Sequence, residues 1–267
     1  MYEIRYHKPE SLEQALALFA EATEARYLSG GQTLVPTMKQ RLAAPSDVID
    51  LSAIADLKGI AATGETIDIG AAATHAEVHS SQIVKRVLPA LAELAGTIGD
   101  PAVREMGTIG GALANNDPAA DYPAAVLALG ATIHTDKRSL AAEDFFTGLF
   151  MTALQEGEIV TRVALPVPVS AAYAKFRNPA SRYAVAGVFV ARMKDGAVRV
   201  GVTGAGANGV FRAGTIEQAL ASDWSPAAID AVAIDPVGML SDIHASAAYR
   251  ANLVKVMAKR AVAAASG

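Results

Sequence analysis

Two glycine pairs are the residues with the clearest chemical potential. Gly30-Gly31 stands in "YLSGGQTLVP", residues 27–36, and Gly110-Gly111 in "GTIGGALANNDPAADYP". Each pair follows a short extended run and precedes a helical pattern. Glycine allows positive φ and carries no Cβ, so successive backbone N–H groups can converge on an anion where a helix begins. One helix end contributes roughly 0.3 to 1 kcal/mol toward an anion. A diphosphate with no adjacent lysine therefore needs several donors, and the second loop can supply them. Thr33 and Thr108 offer hydroxyl donors. Asp121 can accept from a sugar hydroxyl; taken alone, such an aspartate is more often a plain helix N-cap and each glycine pair more often a turn, but two such loops in one domain favour a ligand.

Other motifs carry less. Gly204-Ala-Gly206-Ala-Asn-Gly209 satisfies G-x-G-x-x-G, but a dinucleotide fingerprint needs a helix starting inside it, and here the next helical pattern begins at Thr215, so a strand-to-helix connection is expected. His75, Glu77 and His79 lack the spacing of a zinc-protease helix. His7, His134 and His244 show no ligand spacing, and neither a G-x-S-x-G elbow nor a GK[ST] loop is present.

The glycine pairs must be positioned by alternating strands and helices. Ser11 and Gln14 form a capping-box pattern ahead of Leu12, Ala15, Leu16 and Phe19 at helical spacing, which predicts a helix over 11–22. A strand at Arg26 to Ser29 then leads through the first glycine pair into a helix over Val35 to Arg41, closed by Pro45. Strands are expected at Val48 to Leu51 and Thr66 to Ala71, and a helix at Val84 to Thr97 with Leu88, Leu91, Leu94 and Ala95 inward. Asp121 and Pro123 open an apolar helix that stops at Gly130. The prolines of "LPVPVS", residues 165–170, mark the main boundary. Beyond it, Arg182 to Met193 and Ala197 to Thr203 read as strands joined across Asp195-Gly196. Thr215 and Gln218 suggest another capping box. Tyr249, Leu253, Val256 and Met257 predict one face of a C-terminal helix with a frayed alanine-rich tail.

Bulk properties narrow the class. With 267 residues and 52% hydrophobic composition, the chain can bury more than one core, favouring two units. A net charge of -4 gives no basic footprint for nucleic acid. Zero cysteines exclude disulfides and thiolate-held iron–sulfur clusters on this chain. No stretch approaches the roughly 18 uninterrupted apolar residues of a membrane span, and the N-terminus has no apolar signal core, so the expected location is the cytoplasm.

The segments "LSGGQTLVPTMKQRLAAPSDVIDLS" and "VREMGTIGGALANNDPAADYPAAVLALGA", together with "FRNPASRYAVAGVFVA" and "SDIHASAAYRANLVKVMAKRA", resemble the FAD-binding subunits of molybdenum hydroxylases over nearly the whole chain. They are most like the medium subunits of aerobic carbon monoxide dehydrogenases, relatives of the xanthine dehydrogenase FAD domain. The resemblance implies an α+β fold. A vanillyl alcohol oxidase/PCMH-type FAD-binding domain would occupy residues 1–167, with subdomains of about 1–58 and 59–167. A smaller α+β domain, an antiparallel sheet with helices, would follow at 171–267.

By the same resemblance, Leu28, Ser29, Gly30, Gly31, Gln32, Thr33 and Leu34, with Thr108, Ile109, Gly110, Gly111 and Ala112, wrap the FAD diphosphate. Ile98 lies near the flavin, Asp121 binds a polar portion of the cofactor, Ile159 contacts it from the strand before the boundary, and Lys175 reaches it from the second domain. The implied partners are a large molybdenum-cofactor subunit and a small [2Fe–2S] subunit, as a dimer of heterotrimers, with quinone, NAD or oxygen as electron acceptor. Ala112, Met106 and the run after Lys175 depart from the usual pattern, which removes one polar contact and leaves acceptor specificity open. A stand-alone flavin oxidase or reductase, and a non-catalytic nucleotide-binding protein, are the alternative readings.

Overall fold

The computed structural model describes residues 1–266. Its N-terminal layer is a parallel three-stranded sheet in which Asp47–Asp50 lies between Arg5–His7 and Ala25–Leu28. Helix Leu12–Glu21 joins the outer two strands. Ser11 caps it by accepting from the Gln14 N–H, but the Gln14 side chain turns back to the Glu10 N–H, one residue earlier than a capping box requires. Leu12, Ala15, Leu16 and Phe19 bury against Ile49, Ile54, Leu57 and Ile159, as the periodicity predicts.

The middle layer is an antiparallel five-stranded sheet in the order Ile60–Thr63, Thr66–Gly70, Val160–Pro166, Thr132–Thr135, Ser139–Ala141. Six helices fill the chain between Thr66–Gly70 and Thr132–Thr135: His75–Ser80, Gln82–Val87, Pro89–Gly96, Pro101–Met106, Ile109–Asn115 and Tyr122–Leu129. The single helix expected over 84–97 is two. Pro89 drives Leu88 out of the helical region, to ψ 62, and the chain restarts with the proline in its first turn. Leu88, Leu91, Leu94 and Ala95 are buried all the same.

The C-terminal layer is an antiparallel sheet of Ser170–Arg177, Ala184–Arg192, Val198–Thr203 and Phe211–Arg212, backed by helices Gly214–Ser222 and Ala247–Ala265. Gly196 turns the expected hairpin at φ +87 while Asp195 accepts from the Ala197 N–H. Other expectations need correction. Thr215 caps nothing: the helix starts one residue earlier, after Ala213, and Glu217 is drawn instead to Arg212 and the Val200 N–H. The last helix buries Leu253, Val254, Met257, Ala258, Ala261 and Val262 and leaves Tyr249 exposed, a face rotated from the expected one. Arg250 is buried with that face, its guanidinium donating to the Val185 and Gly204 carbonyls at 2.6 Å and to Asp242. The alanine tail stays helical to Ala265.

Gly204 to Gly209 form a strand-to-strand loop that leads to Phe211–Arg212, not directly to a helix. Glu77 completes a capping box with Thr74, and His79 bonds the Ala92 carbonyl. Among the described residues no cluster of three metal-ligating side chains occurs, and no helix is long and apolar enough to cross a membrane.

Tyr122–Leu129 joins the two larger layers. Every residue of it is buried. It lies against Ala184–Arg192 and Val198–Thr203 so closely that a Cβ on Gly201 would stand 2.1 Å from the Ala124 carbonyl oxygen.

Candidate functional site: a cavity between three layers

The first glycine loop leaves the end of Ala25–Leu28 and enters helix Leu34–Lys39. Gly31 adopts φ +70, a conformation costing a side-chain-bearing residue about 1–2 kcal/mol. Gly30 is required for another reason: a Cβ there would fall 2.2 Å from the Met106 carbonyl oxygen and 2.6 Å from Gly107 Cα. The first loop therefore packs directly on the backbone that leads into the second. Val35 is the first residue of the new helix whose N–H is bonded, to the Gly31 carbonyl. Among the described residues, no protein acceptor takes the amides of Gly30, Gly31, Gln32, Thr33 or Leu34. Five adjacent amides at a helix N-terminus are thus left without a protein acceptor, the donor chemistry that an anion can meet.

The second loop is organised differently. Thr108 caps helix Ile109–Asn115 by accepting from the Gly111 N–H at 3.1 Å. The Ile109 and Gly110 amides already serve the Ala73 and Ala71 carbonyls, and the Ala112 amide serves the Thr108 carbonyl. Amides from both bends were expected to point at one anion; those of 109–112 are committed within the protein. Ile109 also departs from expectation, because its side chain is fully buried in the middle core, away from the cavity wall. Gly110 is needed because a Cβ would stand 2.5 Å from Ala71 Cβ. What this loop adds is an anchor: Thr108 Oγ1 lies 2.7 Å from Ser29 Oγ, tying the two loops together.

These loops form one side of a cavity of about 680 Å³, within the range of small-molecule and cofactor sites. Of the residues singled out in the sequence, Leu28, Ser29, Gly30, Gly31, Gln32, Thr33, Leu34, Ile98, Thr108, Gly110, Gly111, Ala112, Asp121, Ile159 and Lys175 all line it. Asp121 stands at the N-cap position of Tyr122–Leu129, yet its carboxylate makes no cap bond. It accepts instead from Tyr173 and, at 2.9 Å, from Lys175, whose ammonium also donates to the Thr97 carbonyl. Asp121 and Lys175 are both almost wholly enclosed. Burial pushes the Asp121 carboxyl up, and Lys175 and Tyr173 partly oppose that shift. Glu158, also at the wall, is held down at about 2 by Arg138, with further bonds from the Gln155 N–H and Thr135.

Sequence reasoning missed several wall residues. Asn178 accepts from the amides of Ala180 and Ser181, and the turn it makes sets Arg182 at φ +63 and places Ser181, Arg182 and Tyr183 at the rim. The Asn-Pro pair signals that turn, but nothing local says which side it faces. His75 and Tyr122 line the interior with rings 5.3 Å apart.

Fold and site together define a flavin-nucleotide-binding chain of the molybdenum hydroxylases. Residues 2–168 match the family described as FAD binding domain in molybdopterin dehydrogenase, and the chain belongs to that family. It is 34% identical to the carbon monoxide dehydrogenase medium chain of Hydrogenophaga pseudoflava, over 97% of this chain and 96% of that one. To the nicotine 6-hydroxylase medium subunit of Paenarthrobacter nicotinovorans it is 34% identical, over 97% and 96%. A solved Cu,Mo-CO dehydrogenase superposes with TM-score 0.90 at 36% identity, covering 98% of this chain and 97% of its counterpart.

Proposed function

We propose that this chain is the FAD-carrying electron-transfer subunit of a molybdenum hydroxylase, taking electrons from [2Fe–2S] clusters of a small partner and passing them to quinone, NAD or oxygen. A large partner carries the molybdenum cofactor and oxidises the substrate; the assembly is a dimer of heterotrimers in the cytoplasm. The observation that carries the reading is the run of five unpaired amides from Gly30 to Leu34 at the wall of a cavity sized for a cofactor.

The residues present fit FAD. The 30–34 amides would take the diphosphate, with Ser29 and Thr108 fixing the distance between the two loops. Asp121, held by Lys175 and Tyr173, would meet a polar portion of the nucleotide, while Ile98 and Ile159 supply apolar wall. When bound, FAD would supply the redox chemistry, and the protein would hold and orient it. The absence of cysteine leaves thiolate-held clusters to a partner chain.

Co-purification from the native host, with an optical spectrum and metal analysis, tests the proposal. Two companion chains, molybdenum and a flavin-plus-iron–sulfur spectrum are expected. A chain that purifies alone and whose flavin is reduced by a substrate without partners would favour a stand-alone oxidase instead.

A further inference from the structure

Four buried side-chain polar atoms lack a hydrogen-bond partner among the described residues, and two of them, His75 Nδ1 and Tyr122 Oη, belong to side chains lining the cavity. The His75 ring nitrogens are not equivalent. Nδ1 is enclosed with nothing to bond, whereas Nε2 also has no protein partner but is not enclosed. A proton on Nδ1 would be a buried donor without an acceptor; a bare Nδ1 leaves only an under-satisfied acceptor, the cheaper defect. The neutral ring therefore carries its proton on Nε2. Burial, with Arg104 nearby, draws the imidazole down to about 4, so the ring is neutral at physiological pH.

Nε2 also sits at a defined place. A Cβ on Gly107 would lie 2.6 Å from it, and a Cβ on Gly30 would lie 2.6 Å from Gly107 Cα. The imidazole and the Gly30 loop thus both pack against Gly107, which puts Nε2 beside the junction of the two glycine loops. The His75 N–H bonds the Gly107 carbonyl at 2.9 Å, and the tilted Tyr122 ring confines the imidazole from another side. Phosphate oxygens only accept, so a fixed neutral donor suits that position.

From this geometry we infer that His75 is a cofactor-contact residue, donating its Nε2–H to a diphosphate oxygen of the bound flavin nucleotide and supplementing the 30–34 amides. The inference rests on the FAD reading above. It assigns to the second loop's side of the site the donor that the committed amides of 109–112 do not supply.

The test uses the full chain stripped of flavin and titrated with FAD and with ADP. His75→Phe, which keeps a ring and removes both nitrogens, is expected to weaken FAD and ADP by about ten-fold, and His75→Gln, which can place an amide N–H near the same point, to recover most of that loss. Nitrogen NMR of the wild-type chain is expected to show the Nε2–H form, with its resonance moving when FAD binds. Unchanged FAD affinity in His75→Phe overturns the inference and leaves the FAD reading standing, as does an Nδ1–H form in the wild type. A loss seen for FAD but not for ADP overturns the diphosphate placement. Wild-type protein that takes up no FAD overturns the parent reading and this one with it. The NMR measurement needs no substitution, so it decides even if His75→Phe does not fold.

Discussion

Ser29 and Thr108 are separated by 79 positions in the chain, and their hydroxyls meet at 2.7 Å. Thr108 uses the same oxygen to cap the helix that begins at Ile109. Thr108→Val should remove both bonds and cost about 1–2 kcal/mol in urea unfolding, whereas Ser29→Ala keeps the cap and should cost less than about 1 kcal/mol. Both should weaken FAD binding. The double variant should fall short of the sum of the singles by several tenths of a kcal/mol or more, the signature of a direct contact; strict additivity would show that the tie contributes nothing.

Gly31→Ala should lower FAD retention through its backbone. At φ +70 an alanine carries about 1–2 kcal/mol of strain, and its Cβ would also press on Leu28 and Val35 at 3.2 Å. Gly111→Val acts otherwise, since Gly111 is helical: the new side chain meets Thr108 Oγ1 at 3.0 Å and points toward Ser29. It should spread the two loops and abolish flavin retention while the C-terminal core stays folded. Flavin content after gel filtration reads both, and normal content in Gly111→Val would reject the assignment of this cradle.

Lys175→Met should leave Asp121 enclosed without its cation, a change worth about 3–5 kcal/mol at neutral pH. Burial already raises the Asp121 carboxyl, and losing Lys175 raises it further. A carboxyl whose folded value lies above its unfolded one binds a proton on folding, so the stability of the variant should fall as pH rises from acid toward neutral. Urea midpoints at pH 5 and pH 8 test the sign. FAD should be retained with a shifted reduction potential; an unchanged potential and unchanged reoxidation would remove Lys175 from the flavin's surroundings.

Glu158 gives the opposite sign. Its folded value near 2 lies below the ordinary 4.5, so its contribution is present above about pH 4.5 and is lost as pH falls toward 2. Glu158→Gln should be less stable than wild type by on the order of 2 kcal/mol at pH 7, and that gap should narrow over this window. A gap that stayed constant down to pH 2.5 would contradict the ion pair with Arg138.

Saturating FAD at about 100 times its Kd should raise stability by about 2.7 kcal/mol, read as a higher Tm. No upward shift for the wild-type chain would contradict binding to the folded state.

The parts of the fold legible in the sequence are those set locally. Helical spacing placed Leu12–Glu21, the Asp195-Gly196 pair placed a hairpin, and the two glycine pairs located the loops that meet at the cavity. What escaped was set by distant partners. Whether Gly30 and Gly110 serve a ligand or their own protein depends on Met106 and Ala71 lying beside them, which no local pattern states. The face of the last helix, expected through Tyr249 and Val256, was misjudged because no local pattern states that Arg250 would be buried against two carbonyls and Asp242. His75 and Tyr122 became wall residues only once three layers had closed around one space.

The helix Tyr122–Leu129 has a consequence for anyone cutting this molecule down. The family match stops at residue 168, yet one flank of that helix is covered by strands that begin at Ala184. A fragment ending at 168 would carry a stripe of bare alanine, valine and leucine into water, inviting aggregation, and would lose Lys175 from the cavity wall. The unit recognised by pattern is thus smaller than the unit that can stay dissolved and loaded.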